Sequence, residues 1–321
     1  VAPEHPEILR QLAQVYIAGG NRVRGAAVLE RAIASDPNDG PTLFMLGRLS
    51  FEQGQWAGAV HLLSRAINSN LRRTEPELIP LARYFLGGAL ERLGYDEAGV
   101  KQFRAFLDAS NGNASWSSQR SRDLTLLLRQ RGVVWMIVGD LHNRLGQPMQ
   151  AWDAYQQGIE QGVGDGQTTQ IRLLYTLLQL GRYDEAEQLV VDRLTNAQAD
   201  DATLDLVSYV AKYGSRTKRL SERLEQLYTQ SGKPARLALA TAALQTPPRS
   251  TATLKAHLTA KPTDRAVFEA LIKQYNAQSS ASEIADLLRS VEPVLVAAPQ
   301  IADAYATQIV EQLPIEPRSE E

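Results

Sequence analysis

The segment Leu29-Glu30-Arg31-Ala32-Ile33 returns 34 residues later as Leu63-Ser64-Arg65-Ala66-Ile67. At the same offset Leu9 pairs with Leu43, Leu12 with Leu46, Ala13 with Gly47, Gly20 with Gly54 and Gly25 with Ala59. A fixed period between about 20 and 50 residues implies a stack of supersecondary units, none of which buries its apolar face alone. Within 40–73, Leu43, Leu46 and Gly47 fall on one helical face. Gly54 ends that helix, because glycine takes the left-handed cap conformation without strain. Ala59, Leu63 and Ala66 then line the inner face of a second helix. Gly47 and Ala59 are small where the paired helices approach, so added bulk at Ala59 or Ala66 costs about 1–3 kcal/mol by overpacking. Asp36-Pro37 and Asn38 close the first unit and open the next.

This pattern resembles the tetratricopeptide repeat family, whose unit is 34 residues long. Residues 6–39 and 40–73 are the cleanest copies. A third covers about 81–107, carried by Leu86, Gly87, Gly94, Tyr95-Asp96-Glu97-Ala98 and Ala105, with a turn one residue short. Residues 132–165 make a fourth, through Trp135, Gly139, Gly146, Ala151 and Tyr155, with Gly158 in place of the usual late alanine. A fifth spans 167–200, marked by Gly181-Arg182-Tyr183-Asp184-Glu185-Ala186. Position seventeen, a tyrosine in the family, holds Trp56 and Tyr183 here, and Pro148 departs from it. The resemblance implies an all-α fold, a right-handed superhelix of antiparallel helix pairs.

Beyond residue 200 the motif fades while helical spacing persists. Leu204, Val207 and Ala211, then Leu220, Leu224 and Leu227, read as a pair about Gly214. Further helices follow Lys233-Pro234, Thr246-Pro247-Pro248 and Pro262. Residues 201–313 read as helical pairs that continue or cap the array, with a separate all-helical domain as the alternative. Residues 108–120 are too polar and glycine-rich for a helix interior. They form a solvated loop or, through Trp116, a contact element. Leu124, Leu126, Leu127 and Leu128 start a long helix running into Trp135. The tail 314–321 reads as disordered.

Apolar content of 44% and a net charge of −2 fit a soluble chain with a substantial core and argue against general polyanion binding. With no cysteine, disulfides and thiolate metal sites are excluded, and cytoplasmic and periplasmic settings suit the chain equally. No apolar run approaches the roughly 20 residues of a membrane span, so direct membrane insertion is not expected. The chain begins at Val1 without a secretory leader, which reads as a processed or trimmed piece of a longer protein.

Catalytic chemistry and cofactors are not expected. His5, His61, His142 and His257 are scattered without ligand spacing, and His142, on a first helix, reads as solvated, with a groove residue as the alternative. Gly162-Val163-Gly164-Asp165-Gly166 follows a helix and lacks the lysine of a phosphate loop. Ser115 and Ser117 lack a nucleophile elbow. Asp96-Glu97 and Asp184-Glu185 open second helices, where acids complement the dipole. Arg216, Lys218, Arg219 and Arg223, and separately Arg120, Arg122, Arg129 and Arg131, alternate with leucines and carry no interleaved aromatics. They read as solvated faces and not as a nucleic-acid surface.

Function therefore rests on the groove. By resemblance, positions two, five, nine, twelve and thirteen of each unit line the concave face. Those positions supply Arg10, Gln14 and Ile17, then Phe44, Arg48 and Phe51. The fourth unit supplies Met136, Asp140, Asn143 and Arg144, and the fifth Ile171, Tyr175 and Gln179. Arginines and aromatics are the strongest interface anchors. Arg10, Phe44, Arg48 and Phe51 are expected to form one patch of apolar anchors and two positive charges, suited to a peptide or protein partner with acidic residues; in an array of tight curvature Phe44 and Phe51 pack under a neighbouring helix instead. Gln14 and Arg48 stand where chaperone-binding members of the family carry an asparagine, so a carboxylate-clamp chaperone adaptor is not expected. The reading is a non-catalytic interaction scaffold. The alternative is the repeat arm of a larger enzyme or envelope polysaccharide-secretion component.

Overall fold

The computed structural model describes residues 5–111, 122–164, 166–195, 201–213, 216–232 and 234–277, with single positions at 284, 286, 287 and 289. All regular structure among these residues is helical. Five positions show why the chain turns where it does. Gly20, Gly54, Gly94, Gly146 and Gly181 have φ between 69° and 81°, the left-handed region that other residues enter only with strain. Each of the first four closes the same cap. The Gly20 N–H donates to the Ile17 carbonyl (3.0 Å) and the next N–H, Asn21, to Tyr16 (2.8 Å). Gly54 and Gln55 repeat this with Phe51 and Ser50. The double bond satisfies carbonyls that a helix end would leave unpaired.

These turns define the hairpins of the first compact unit, residues 1–180. Helix α1 (Pro6–Ala18) pairs with α2 (Arg22–Ser35), and α3 (Gly40–Glu52) with α4 (Trp56–Asn68). After the short α5 (Leu71–Thr74), α6 (Leu78–Arg92) pairs with α7 (Asp96–Asn111). Helix α8 (Arg122–Arg129) leads to α9 (Arg131–Arg144), which pairs with α10 (Pro148–Glu160), and α11 (Gln167–Gln179) follows. Between hairpins, the second helix of one covers the first helix of the next: α2 on α3, α4 on α6, α7 on α9, α10 on α11. Two details of the sequence reading change. The third turn is not short, because its repeat starts near residue 80 and Gly94 takes the common cap. The expected long helix is two, broken at Gln130 (φ −102°, ψ 19°). The expected 108–120 loop is helical up to Asn111; Trp116 and residues 112–121 lie outside the described residues.

Close approach inside each hairpin depends on one pair, position eight against position twenty-four. A Cβ on Gly47 would lie 2.8 Å from Leu63 Cγ, and one on Gly87 3.1 Å from the Phe103 ring. One on Gly139 would overlap the Tyr155 ring. The first hairpin uses Ala13 and Leu29 at these positions, both fully buried. The chain divides into compact units after Leu180, inside the fifth copy, where Leu174 stands at position eight.

The second unit contains α12 (Tyr183–Thr195), α13 (Asp201–Tyr213), α14 (Thr217–Gln230), α15 (Ala235–Ala243), α16 (Arg249–Ala260) and α17 (Arg265–Ala277). Leu254, Leu258, Val267, Phe268, Leu271 and Tyr275 form its main apolar cluster. The tail 314–321 lies outside the described residues.

Candidate functional site

Helices α1, α3 and α6 enclose a cavity of about 420 Å³. Phe44, Leu49 and Leu78 supply an apolar floor with Met45 beside it, and Arg10, Gln14, Arg48, Glu52 and Glu75 line the rim. Successive first helices meet here because the hairpins stack in register, so positions five and nine of two repeats converge. Five of the six groove residues expected from the first two units line this space: Arg10, Gln14, Ile17, Phe44 and Arg48.

The electrostatics differ from the expected positive patch. Arg10 donates through Nη1 to both carboxylate oxygens of Asp39, at 3.1 and 3.0 Å, and its Nη2 lies 4.0 Å from Glu75. Arg48 donates to Glu52 at 3.0 Å while its guanidinium stands 5.5 Å over the Phe85 ring. Arg22 adds a 3.7 Å pair to the other Glu52 oxygen. Each rim cation thus has an acid of this chain beside it. Asp39 is itself held by the Thr42 hydroxyl. Burial pushes the Glu75 carboxyl above its ordinary range; Arg10 opposes this, and Glu77, Asp39 and Glu7 reinforce it.

Three expected groove side chains do other work. Phe44 is only 4% exposed and belongs to the main apolar cluster, tilted against Phe85, so it is core and cavity floor together. Phe51 does not line the cavity. Its ring packs edge-on to Trp56 (5.1 Å) and Phe85 (5.3 Å), and a Cβ on Gly88 would come within 3.0 Å of it. Met136 is 2% exposed, so it is a core residue. Its thioether fills the space that Gly158 leaves by replacing an alanine, 2.9 Å from where a Cβ would stand.

The fourth-unit residues Asp140, Asn143 and Arg144 meet Ile171, Tyr175, Tyr155 and Arg172 at a second cavity of about 310 Å³. Here most polar groups are already spoken for. Asp140 accepts two bonds from Arg172 (2.8 and 2.6 Å) and one from the Tyr155 hydroxyl (2.8 Å). Asn143 donates to Tyr155 and Thr176, both at 3.0 Å. Burial, helped by Asp140, raises the Tyr155 phenol pKa, keeping it a donor. Arg144 grips Asp96 through two 2.9 Å bonds. This network ties α9, α10 and α11 together and leaves Tyr175, 44% exposed, as the open aromatic.

Glu75 and Leu78 were not foreseen, because the segment carrying α5 separates the second and third repeats and shifts the register. Pro76, after a helix-ending Thr74, is the signal that marks it. The expected solvated reading of His142 is also corrected. It is 7% exposed, and Nδ1 lies 2.7 Å from Gln147 Oε1. His257 is fully buried, between the Tyr228 hydroxyl (3.0 Å) and Asp264 (3.1 Å). Arg216 and Arg219 pair with Asp184 at 2.5 and 2.8 Å, and both stand 3.7 Å from the buried Glu187. Among the described residues no group of three His, Cys, Asp or Glu could hold a metal ion. No helix among them is long and apolar enough to cross a membrane.

Hairpins of this register, stacked first helix on second, are those of a helical-repeat protein. Residues 44–114 match the family model described as tetratricopeptide repeat. No curated protein matches the sequence. Among solved structures, the Naa15/Naa10 complex bound to HypK-THB is similar at 12% identity and TM-score 0.60, over 89% of this chain and 41% of that one. A looser likeness is to a tetratricopeptide repeat protein from Parabacteroides merdae, at 14% identity and TM-score 0.45, over 83% and 97%. Another is to MamA, at 14% and 0.44, over 67% and 94%.

Proposed function

We propose that the chain is a non-catalytic interaction scaffold that takes a segment of a partner protein into the cavity between α1, α3 and α6. The observation that carries this reading is the combination of an apolar floor with a charged rim whose ions are already paired. Such a site accepts one large apolar side chain without first stripping water from a lone charge. A partner carboxylate would have to displace Asp39 or Glu52, so acidic residues add orientation at the rim and little affinity. The test is capture of partners from native lysate by the intact protein and by Leu78→Arg, which fills the cavity with a charge. The expected result is loss of the same captured proteins with helical content unchanged. Equal capture by both proteins would refute the cavity as the site.

A further inference from the structure

The segment outside the 34-residue period also builds a second, separate pocket. Helix α5 and the turn after it contribute to both: Glu75 lines the cavity described above, while Arg72 and Pro76 line another of about 370 Å³. Ile79 of α6 and Ala105 and Ala109 of α7 complete its apolar wall, and Arg83 and Asp108 add charge. The two cavities share no lining residue. Helix α4 packs on α6 before this pocket and α9 on α7 after it, so the opening lies within the array. Its ions differ from those of the first cavity, where Arg10 and Arg48 each meet an acid of this chain. Arg83 donates to the neutral amide oxygen of Gln102 at 3.1 Å. Among the described residues, the guanidiniums of Arg72 and Arg73, both exposed, have neither a hydrogen bond nor an ion pair. Lys101 and Arg104, exposed and likewise without partners, stand at helical spacing from Ala105 and Asp108 on α7. Asp108 is the one acid of the lining. Five cations thus line or flank a pocket that supplies a single carboxylate.

We propose that this α5–α6–α7 pocket is a docking site for a short acidic segment of a partner protein that carries one apolar side chain. The apolar side chain enters beside Ile79 and the two alanines, whose small size lets a backbone come close to α7. Carboxylates on either side of it meet Arg72 and Arg83, because a guanidinium offers two parallel donors to a carboxylate. Arg72 has no ion partner in this chain, so nothing has to be displaced, in contrast to the rim of the first cavity. The neighbouring stretch 112–121 of this chain lacks that chemistry, since it contains no acid and adds Arg120. Charge complementarity therefore selects an acidic occupant from outside that stretch.

The probe is the fluorescein-labelled peptide Asp-Glu-Leu-Glu-Asp, titrated with the full chain and followed by anisotropy. Saturable binding is expected, weakened at least about tenfold by Arg72→Glu with Arg73→Glu, the loss of a charge-assisted hydrogen bond. Both positions are exposed and unpaired, so circular dichroism and melting of that variant should match the wild type. Ala105→Leu, which fills the pocket without changing its charge, should also weaken binding. Leu78→Arg, which blocks the cavity of the proposed function, should bind the peptide normally, so this site and that one fail separately. No saturable binding, or binding that survives the double variant, would overturn the proposal. Equal binding by a peptide with glycine in place of leucine would overturn it too, by showing attraction of charge alone. Tighter binding by Glu316→Gln with Glu320→Gln and Glu321→Gln would make this chain's own tail the occupant and likewise overturn it.

Discussion

Phe44→Ala separates packing from recognition at the cavity, because this side chain belongs to both. Its ring is 96% removed from solvent and leans on Phe85 at 6.4 Å. Withdrawing a fully buried phenylalanine from apolar surroundings costs about 1.5–3 kcal/mol in transfer, and the ring pair adds roughly 0.5–1.5 kcal/mol. The usual further penalty for an empty cavity is about 24 cal/mol per Å³. It should be small here, because the space opens into an existing cavity of about 420 Å³. The expected loss is therefore about 3–4 kcal/mol, near the lower end for such truncations. Urea unfolding followed at 222 nm reads it, with Met45→Ala, half-buried beside Phe44, as the comparison. A loss below about 1 kcal/mol would refute the reasoning. Phe44 would then be a surface anchor, and the apolar cluster would not depend on it.

Gly139→Ala should destabilise the fourth hairpin by about 1–3 kcal/mol through overlap with Tyr155, seen as a lower melting temperature. Ala66→Arg, at a fully buried position of α4, should cost more still and reduce helical content. Gly20→Ala should cost about 1 kcal/mol, since it forces a methyl into φ 81°. Glu75 gives a pH signature. Its folded pKa is raised, so the protonated form is the one the fold favours, and its contribution to stability is present below 4.5 and lost as pH rises through the raised value. A segment entering the cavity strips more water from this carboxyl, so binding should take up protons and tighten on acidification. Calorimetry in two buffers of different ionisation enthalpy would show it, and Glu75→Gln should abolish the slope.

The repeat was legible because its determinants are local. A glycine at the turn, a small residue at position eight and a large one at position twenty-four act over 16 residues or fewer, within one hairpin. The groove was only partly legible, because orientation there depends on neighbours the pattern does not encode. Arg10 and Arg48 line the cavity, and their charges are compensated by Asp39 and Glu52. Position five faces the groove in the family's pattern, but Met136 turns inward because Gly158 makes room for it. Glu75 and Leu78 come from a segment outside the period. Nothing in the spacing of His257 pointed to Tyr228 and Asp264, which come from two other parts of the chain.

The polar side chains show how a chain with few special residues distinguishes one repeat from the next. Asp96 and Asp184 open second helices, and a dipole role alone would make them interchangeable with any acid. Each instead accepts an arginine from elsewhere in its own unit, Arg144 for Asp96 and Arg216 for Asp184. Asp140 and Tyr155 do the same between α9, α10 and α11. Stacked apolar faces are nearly equivalent from copy to copy, so leucine against leucine would tolerate slippage by a repeat. The bidentate pairs at Asp96 and Asp140 do not, since a shifted register leaves a partly buried carboxylate without its guanidinium. The apolar positions thus supply the adhesion and these pairs the order.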